Sequence, residues 1–473
     1  MRPSVLSLTA VRLVLPLAVG LASCVCSPPP QFDDLADLDP SEEFPGGDTT
    51  NKLLMGSNAF ISPASNLSPE NEALFFSGNS WFNQSWVIAP ASATTRDGLG
   101  PLYNAVSCSS CHFKDGRGRA FSNDGVSGVL MRISRPGQDA DGESIPDPHY
   151  GTQLQDHAIG GVMPEGTLEV RWEERPGKYA DGTSYSLRYP TYTVKDWNYG
   201  EPADDLLMSP RVATSVIGMG LLEAISEEDI EAMADPDDLD GDGISGRINW
   251  VPDIVANKKS IGRFGWKAEQ PTVGQQVASA FSGDIGITTP LFPESSCAST
   301  QSVCDEQISG GEPEIDDRIF HRIEVYSQTI AVPVRRGWQS EELRRGKKVF
   351  QDLGCNSCHR ASYTTGEHPT LDELSNQKIW PYTDLLLHDL GPELADNRPS
   401  YSANGREWRT APLWGLGLVR TVNKHNHLMH DGRARGFAEA ILWHGGEAED
   451  SRAKFVQLDA EDRRKLLQFL GSL

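Results

Sequence analysis

Cys108-Ser109-Ser110-Cys111-His112 and Cys355-Asn356-Ser357-Cys358-His359 are two copies of one pattern, CxxCH, in a chain of 473 residues that holds only eight cysteines. Each thiol pair can form thioethers to the vinyl groups of a haem, and the histidine that follows is placed to ligate the iron. The competing reading is a zinc site made of paired CxxC motifs, whose halves normally lie about 15 to 20 residues apart. Here they fall in different halves of the chain, and each brings its own histidine. The pattern therefore predicts two covalently bound haem c groups, attached at Cys108, Cys111, Cys355 and Cys358, with His112 and His359 on the irons.

The N-terminus decides where such attachment takes place. Arg2 and Arg12 precede an apolar run that reaches Leu21, and the small residues Ala22 and Ser23 follow before Cys24. This reads as a signal peptide over 1–23, too short for a stable membrane span. Leu21-Ala22-Ser23-Cys24 also resembles a lipobox, which makes Cys24 the lipidated first residue of a periplasmic, outer-membrane lipoprotein held to the membrane by acyl chains. The alternative is an ordinary cleaved signal. Residues 24–57, rich in Pro, Asp, Glu and Gly, are expected to form a disordered tether. In an oxidising compartment Cys297 and Cys304 are expected to close a local disulfide. The net charge of −24 excludes nucleic acid as a partner, because that contact demands cations.

The remainder predicts a mainly α protein with two cytochrome c-like haem units, 58–330 and 331–473, the first carrying a β insertion. In the second unit Ser340 can cap a helix with Glu341 and Glu342 in its first turn, and Leu343, Val349, Phe350 and Leu353 supply its apolar residues. A closing helix starts at Asp459 and carries Leu466, Leu467, Leu470 and Leu473. In the first, residues 167–172 and 185–194 alternate as strands, with Pro190 confining the second to an edge. Asp238, Asp240, Asp242 and Gly243 match the opening of a calcium loop, although Asn249 stands where its bidentate glutamate belongs. Arg211-Val212-Ala213 before Gly218-Met219-Gly220-Leu221 is echoed by Arg409-Thr410-Ala411 before Gly415-Leu416-Gly417-Leu418. Each block precedes a helical run, 272–281 or 436–444. The chain thus reads as an internal duplication.

The blocks GLGPLYNAVSCSSCHFKDGRG, FGWKAEQPTV, LLLHDLG, EWRTAPLWGLG and LMHDGRARGFAEAILWHGGEA, running from about Asn58 to the C-terminus, resemble the di-haem oxidoreductases. This family, also called thiol oxidoreductase-like, is similar to bacterial di-haem cytochrome c peroxidases and the methylamine-utilisation di-haem enzyme. The resemblance implies a periplasmic redox protein with one electron-transfer haem and one reactive haem. In the related peroxidases a TLEEA segment precedes a second-haem ligand at a fixed distance. Laid on Gly436–Ala440, it implies His444 as that ligand, with Met429 and His430 as competitors. The same register in the first half gives Ala280 beside Phe281, neither of which binds iron, so the first haem is expected to be open unless Met208, Met219, His157 or Lys267 closes it. For peroxide cleavage the candidates are Glu165, Gln275 and Gln276, with Trp266 as an electron relay and Lys267 as a further polar group. Thr410-Ala411-Pro412 matches a T-x-P segment whose main-chain oxygens hold calcium in the relatives. Two functions follow. One is a peroxidase-like enzyme that takes electrons from a small redox protein and passes them to hydrogen peroxide. The other is a pure electron carrier.

Overall fold

Ser340 caps the helix Glu341–Asp352 by accepting the Leu343 N–H, and Asp459 caps Ala460–Leu470 by accepting from Glu461 and Asp462, as the sequence predicts. The two helices cross at Gly346, where a Cβ would lie 2.1 Å from the Lys465 carbonyl oxygen. Val349, Phe350, Leu466, Phe469 and Leu470 fill the interface. The first half repeats the device in this computed structural model, which describes residues 35–53, 55–120, 128–302, 304 and 306–473. Ser68 caps Pro69–Asn83, and that helix crosses Asp317–Thr329 at Gly78, whose Cβ would lie 2.1 Å from the Arg322 carbonyl oxygen. One turn beyond each crossing glycine stands a phenylalanine, Phe82 or Phe350. Each packs on an aromatic ring of the partner helix, Tyr326 at 5.1 Å or Phe469 at 5.4 Å.

The repeated glycine blocks face one another. Gly218 and Gly415 both adopt φ 71°. A Cβ on Gly218 would meet the Trp414 ring at 2.4 Å, and one on Gly415 would meet Ile217 at 2.5 Å. The largest apolar core runs through this contact and unites Phe60, Phe75, Tyr326, Tyr363, Leu385 and Trp414, so residue 330 marks no break in packing.

The mainly α expectation fails. Helix accounts for only 29% of residues and strand for 18%, spread over many small sheets. Among the described residues the widest sheet has three antiparallel strands, ordered Gln153–Leu154, Val129–Ser134, Leu207–Val212, and the others have two. The physical reason is punctuation. With 45 glycines and 31 prolines, the chain outside the crossing helices breaks into turns and helices as short as Met219–Glu223 and Val419–Asn423.

Two segments lash the halves together. The expected signal, Cys24 and the start of the expected tether lie outside the described residues, but from Leu35 the chain is built into the fold. Glu42 is buried and paired with Arg335 and Lys347, and the Asn51 N–H donates to the Val332 carbonyl. Residues 35–53 are therefore not a free tether, because a buried carboxylate with two cationic partners pins them. The strands Thr167–Lys178 and Ser184–Lys195 form a two-stranded hairpin in which Pro190 lies opposite Trp172. Its turn reaches the second half: Tyr179 packs edge-on against Phe455, Ala180 N–H donates to Val456, and Asp181 pairs with Arg463. The Cys297–Cys304 disulfide is formed.

If the crossing glycines set the helix spacing, Gly346→Ala and Gly78→Ala should each lower the unfolding free energy in urea by about 1–3 kcal/mol, the cost of overpacking. Gly160→Ala, where a Cβ meets nothing within 4 Å, should stay within about 0.5 kcal/mol. Equal losses at all positions would refute the assignment.

Candidate haem centres

Both CxxCH motifs close through the same bond. His112 N–H donates to the Cys108 carbonyl and His359 N–H to the Cys355 carbonyl, each at 3.0 Å, so both cysteines and the histidine sit on one tight turn. Each ring is then oriented from behind. His112 Nδ1 lies 2.7 Å from the Thr214 carbonyl oxygen, and His359 Nδ1 lies 2.9 Å from that of Tyr382. A carbonyl only accepts, so Nδ1 carries the proton and Nε2 presents its lone pair. Phe82 and Phe350 stand beside the two rings, each 6.2 Å away. Burial holds His112 below its ordinary pKa and His359 down at about 4, which keeps both imidazoles neutral and able to ligate a metal.

Burial also pushes the thiols of Cys108, Cys111 and Cys355 up to about 12. Such surroundings favour neutral sulfur, as in a thioether, over the thiolates zinc requires. Among the described residues no metal-binding group joins cysteines of both motifs. The first motif opens on a cavity of about 650 Å³, lined by Cys108, Cys111, His112 and apolar walls that include Phe82, Phe264 and Val277. That volume lies within the ~300–1,000 Å³ typical of cofactor sites. The residues present fit a haem.

Of the groups named to close the first site, only Met219 lines the cavity, together with Ala280, Gln276 and Trp266. Met208 lies on the strand Leu207–Val212, opposite Ile133, and is not among the lining residues. His157 is exposed, bonded to Asp156 and stacked on Tyr103. Lys267 spends its three protons on Asp396 and the carbonyls of Arg398 and Asn404, so its amine has no role in the cavity. Gln275 is likewise committed to Pro252, Gln270 and the Ile254 N–H. Glu165 is buried in a neighbouring chamber of about 220 Å³ that shares the walls Arg132, Glu143 and Ser279 with the large cavity. It accepts from the Gln155 N–H and the Gln301 amide, and burial pushes its carboxyl up to about 8. Trp266 donates to the Val212 carbonyl and sits edge-on to His430, which stacks on Trp408 at 3.8 Å.

At the second motif, His444 ends the helix Phe437–Trp443 with its Nδ1 2.7 Å from the Ala440 carbonyl oxygen, leaving Nε2 free. It lies near enough to His359 to depress that ring's pKa further. His388 is a neighbour that sequence reasoning missed. Its Nδ1 lies 3.6 Å from Cys358 Sγ and 2.7 Å from Glu447, and its Nε2 lies 2.8 Å from Asp384. Burial opposes its charge, yet Cys358 and Asp384 carry its pKa well above the ordinary value. Its signal was the LLLHDLG block, whose distance from CxxCH gives no hint of contact.

The two calcium expectations fare differently: in the acidic loop Asp238 and Asp240 come together with Asp235, one ligand atom of each lying within 4.8 Å of the others, whereas the Thr410 segment is otherwise engaged. The Thr410 carbonyl oxygen already accepts from the Thr383 hydroxyl and the Arg409 guanidinium, so a cationic side chain stands where the ion belongs, and Pro412 lines the cavity. In the acidic loop Asp238, Asp240 and Asp242 cap main-chain N–H groups of their own turn. Asn249 is buried elsewhere, bonded to Lys267 and Ser400.

These centres place the chain in the class of di-haem redox proteins. The family described as "Di-haem oxidoreductase, putative peroxidase" matches residues 41–473, and the chain belongs to it. No curated protein matches. Among solved structures, the chain is similar to hydrazine synthase of Kuenenia stuttgartiensis pressurised with xenon, at 12% identity over 94% of this chain and 100% of that one, with a TM-score of 0.28.

Replacing Cys355 and Cys358 by Ala should halve the haem that survives acid–acetone extraction; an unchanged content would refute attachment there. A second test concerns Glu165. A carboxyl that binds its proton more tightly in the fold than in the unfolded chain, where its pKa is ~4.3, stabilises the fold at low pH and loses that contribution as pH rises towards 8. The Glu165→Gln variant lacks this loss. Its stability relative to wild type, from urea melts, should therefore rise between pH 5 and pH 8, and a difference independent of pH would show that the carboxylate is accommodated charged.

Proposed function

We propose that the chain is an exported di-haem c-type oxidoreductase of peroxidase type, with an open haem site at Cys108, Cys111 and His112 and a site at Cys355, Cys358 and His359 closed by His444. The observation that carries this reading is the inequality of two otherwise matched centres. His444 keeps a free Nε2 and lies close to His359, whereas the corresponding helix Val273–Ala280 ends in Ala280 on the cavity wall. When bound, haem would supply the redox chemistry: reduction of hydrogen peroxide to water at the first site, with electrons brought by a small redox protein to the second.

The chain's own groups suit that task. Gln276 offers an amide to the cavity, and Trp266 forms part of its wall. Glu165 keeps a proton up to a pH of about 8 in the adjoining chamber, as an acid for peroxide reduction should. The disulfide at Cys297–Cys304 supports export to an oxidising compartment. We place the chain in the periplasm as an outer-membrane lipoprotein anchored at Cys24; among the described residues no helix is long and apolar enough to cross a membrane. Met219 favours the second reading, a pure electron carrier, because its thioether lines the first cavity and is a known type of iron ligand.

The holoprotein's spectrum separates the two. The proposal expects one high-spin haem per chain, cyanide binding at that haem, and peroxide reduction with a donor, and it expects His444→Ala to turn the other haem high-spin. Two low-spin haems indifferent to peroxide even after partial reduction, with Met219→Ala opening one, would establish the carrier.

A further inference from the structure

The large cavity carries more positive charge than its carboxylates match. Arg132 projects from Val129–Ser134 and Arg211 from the neighbouring strand Leu207–Val212, and Arg398 Nε reaches the Ile133 carbonyl of the first strand at 3.4 Å. The three guanidinium groups thus share one wall. They lie close enough to disfavour one another's charge. Arg211 pairs with Glu269, yet its Nη2 is buried without a partner while the residue is only 6% exposed. Arg132 and Arg398 have no carboxylate within ion-pair distance among the described residues. The carboxylates around them are already engaged or discharged: Glu269 pairs with Arg211 and Asp396 with Lys267, and burial pushes Asp284 and Glu143 towards the neutral form. A guanidinium buried without a carboxylate is costly, and its planar fork matches the two oxygens of one.

We propose that Arg132, Arg211 and Arg398 form a carboxylate-binding wall inside this cavity. Two sources share that chemistry. A haem tethered at Cys108 and Cys111, which line the same cavity as the three arginines, would bring two propionates to it, and a small free carboxylate would serve equally. The first source rests on the haem reading above; the wall itself does not.

The test uses the full-length holoprotein and the variants Arg132→Gln, Arg398→Gln and Arg132→Lys. It reads haem per chain, the midpoint potential of the first haem, and calorimetric binding of acetate. If propionates occupy the wall, wild type should ignore acetate and each Gln variant should lower the first haem's midpoint, since a lost cation disfavours the more negative reduced state. Arg132→Lys should restore most of the shift. If a free carboxylate is the ligand, wild type should bind acetate, each Gln variant should weaken it by about tenfold or more, as loss of a charge-assisted bond predicts, and the midpoint should stay put. Two haems per chain with neither acetate binding nor a midpoint shift would overturn the wall. No haem at Cys108 and Cys111 would sink the haem reading, with acetate binding deciding the wall alone.

Discussion

The hydrogen bond from each motif histidine to a main-chain carbonyl is the constraint on which the rest depends. A CxxCH turn fixes where the imidazole starts but leaves its rotation free. Thr214 and Tyr382 remove that freedom by accepting the Nδ1 proton. The Thr214 carbonyl lies 102 residues from its histidine and the Tyr382 carbonyl 23, so each ring is aimed by a separate segment that the fold must bring to it. The paired helices with their crossing glycines, and the reciprocal packing of Gly218 on Trp414 and Gly415 on Ile217, are what hold those segments in place.

On this shared frame the two centres diverge. The two motifs match in turn geometry, aromatic neighbour and histidine anchor, so a difference in chemistry would have to come from what else surrounds them. There one helix ends in a histidine with a free nitrogen and the other in an alanine. Surroundings diverge too: His388 is clamped between Asp384 and Glu447 at one motif, while guanidinium groups wall the cavity at the other. Substitution accompanies a local change of backbone, since Val273–Ala280 runs on into a wider helical turn over Phe281–Ile285 whereas Phe437–Trp443 stops at an extended His444.

What the sequence revealed divides by range. The CxxCH turns, the caps at Ser340 and Asp459, the hairpin strands and the Cys297–Cys304 bridge are written in residues adjacent or nearly so, and all were readable. The register that singles out His444 and Ala280 comes from the repeat, which lets one half index the other; in the fold the one follows Phe437–Trp443 and the other closes Val273–Ala280. Mainly α was wrong because helical periodicity is conspicuous, whereas turns at glycine and proline leave no period to detect. Glu42, Lys267 and Arg211 were misjudged or missed because their charged partners lie 58 to 305 residues away, and His388, though it meets Asp384 four residues off, gains its contacts with Cys358 and Glu447 only through the fold; nothing local distinguishes a buried charge from a solvated one.

The hairpin 167–195 has a consequence for how the molecule is made. Its turn belongs to the first half, yet Phe455, Val456 and Arg463 that receive it come far later in the chain, Arg463 282 residues after its partner Asp181. Glu42 waits in the same way for Arg335 and Lys347. During vectorial emergence of the chain both straps therefore hang loose until their receiving residues have been made, and the core that Tyr179 joins, against which Cys355 packs, stays incomplete for that interval. Late closure would give any machinery that must reach the second pair of cysteines a window before the protein shuts over them.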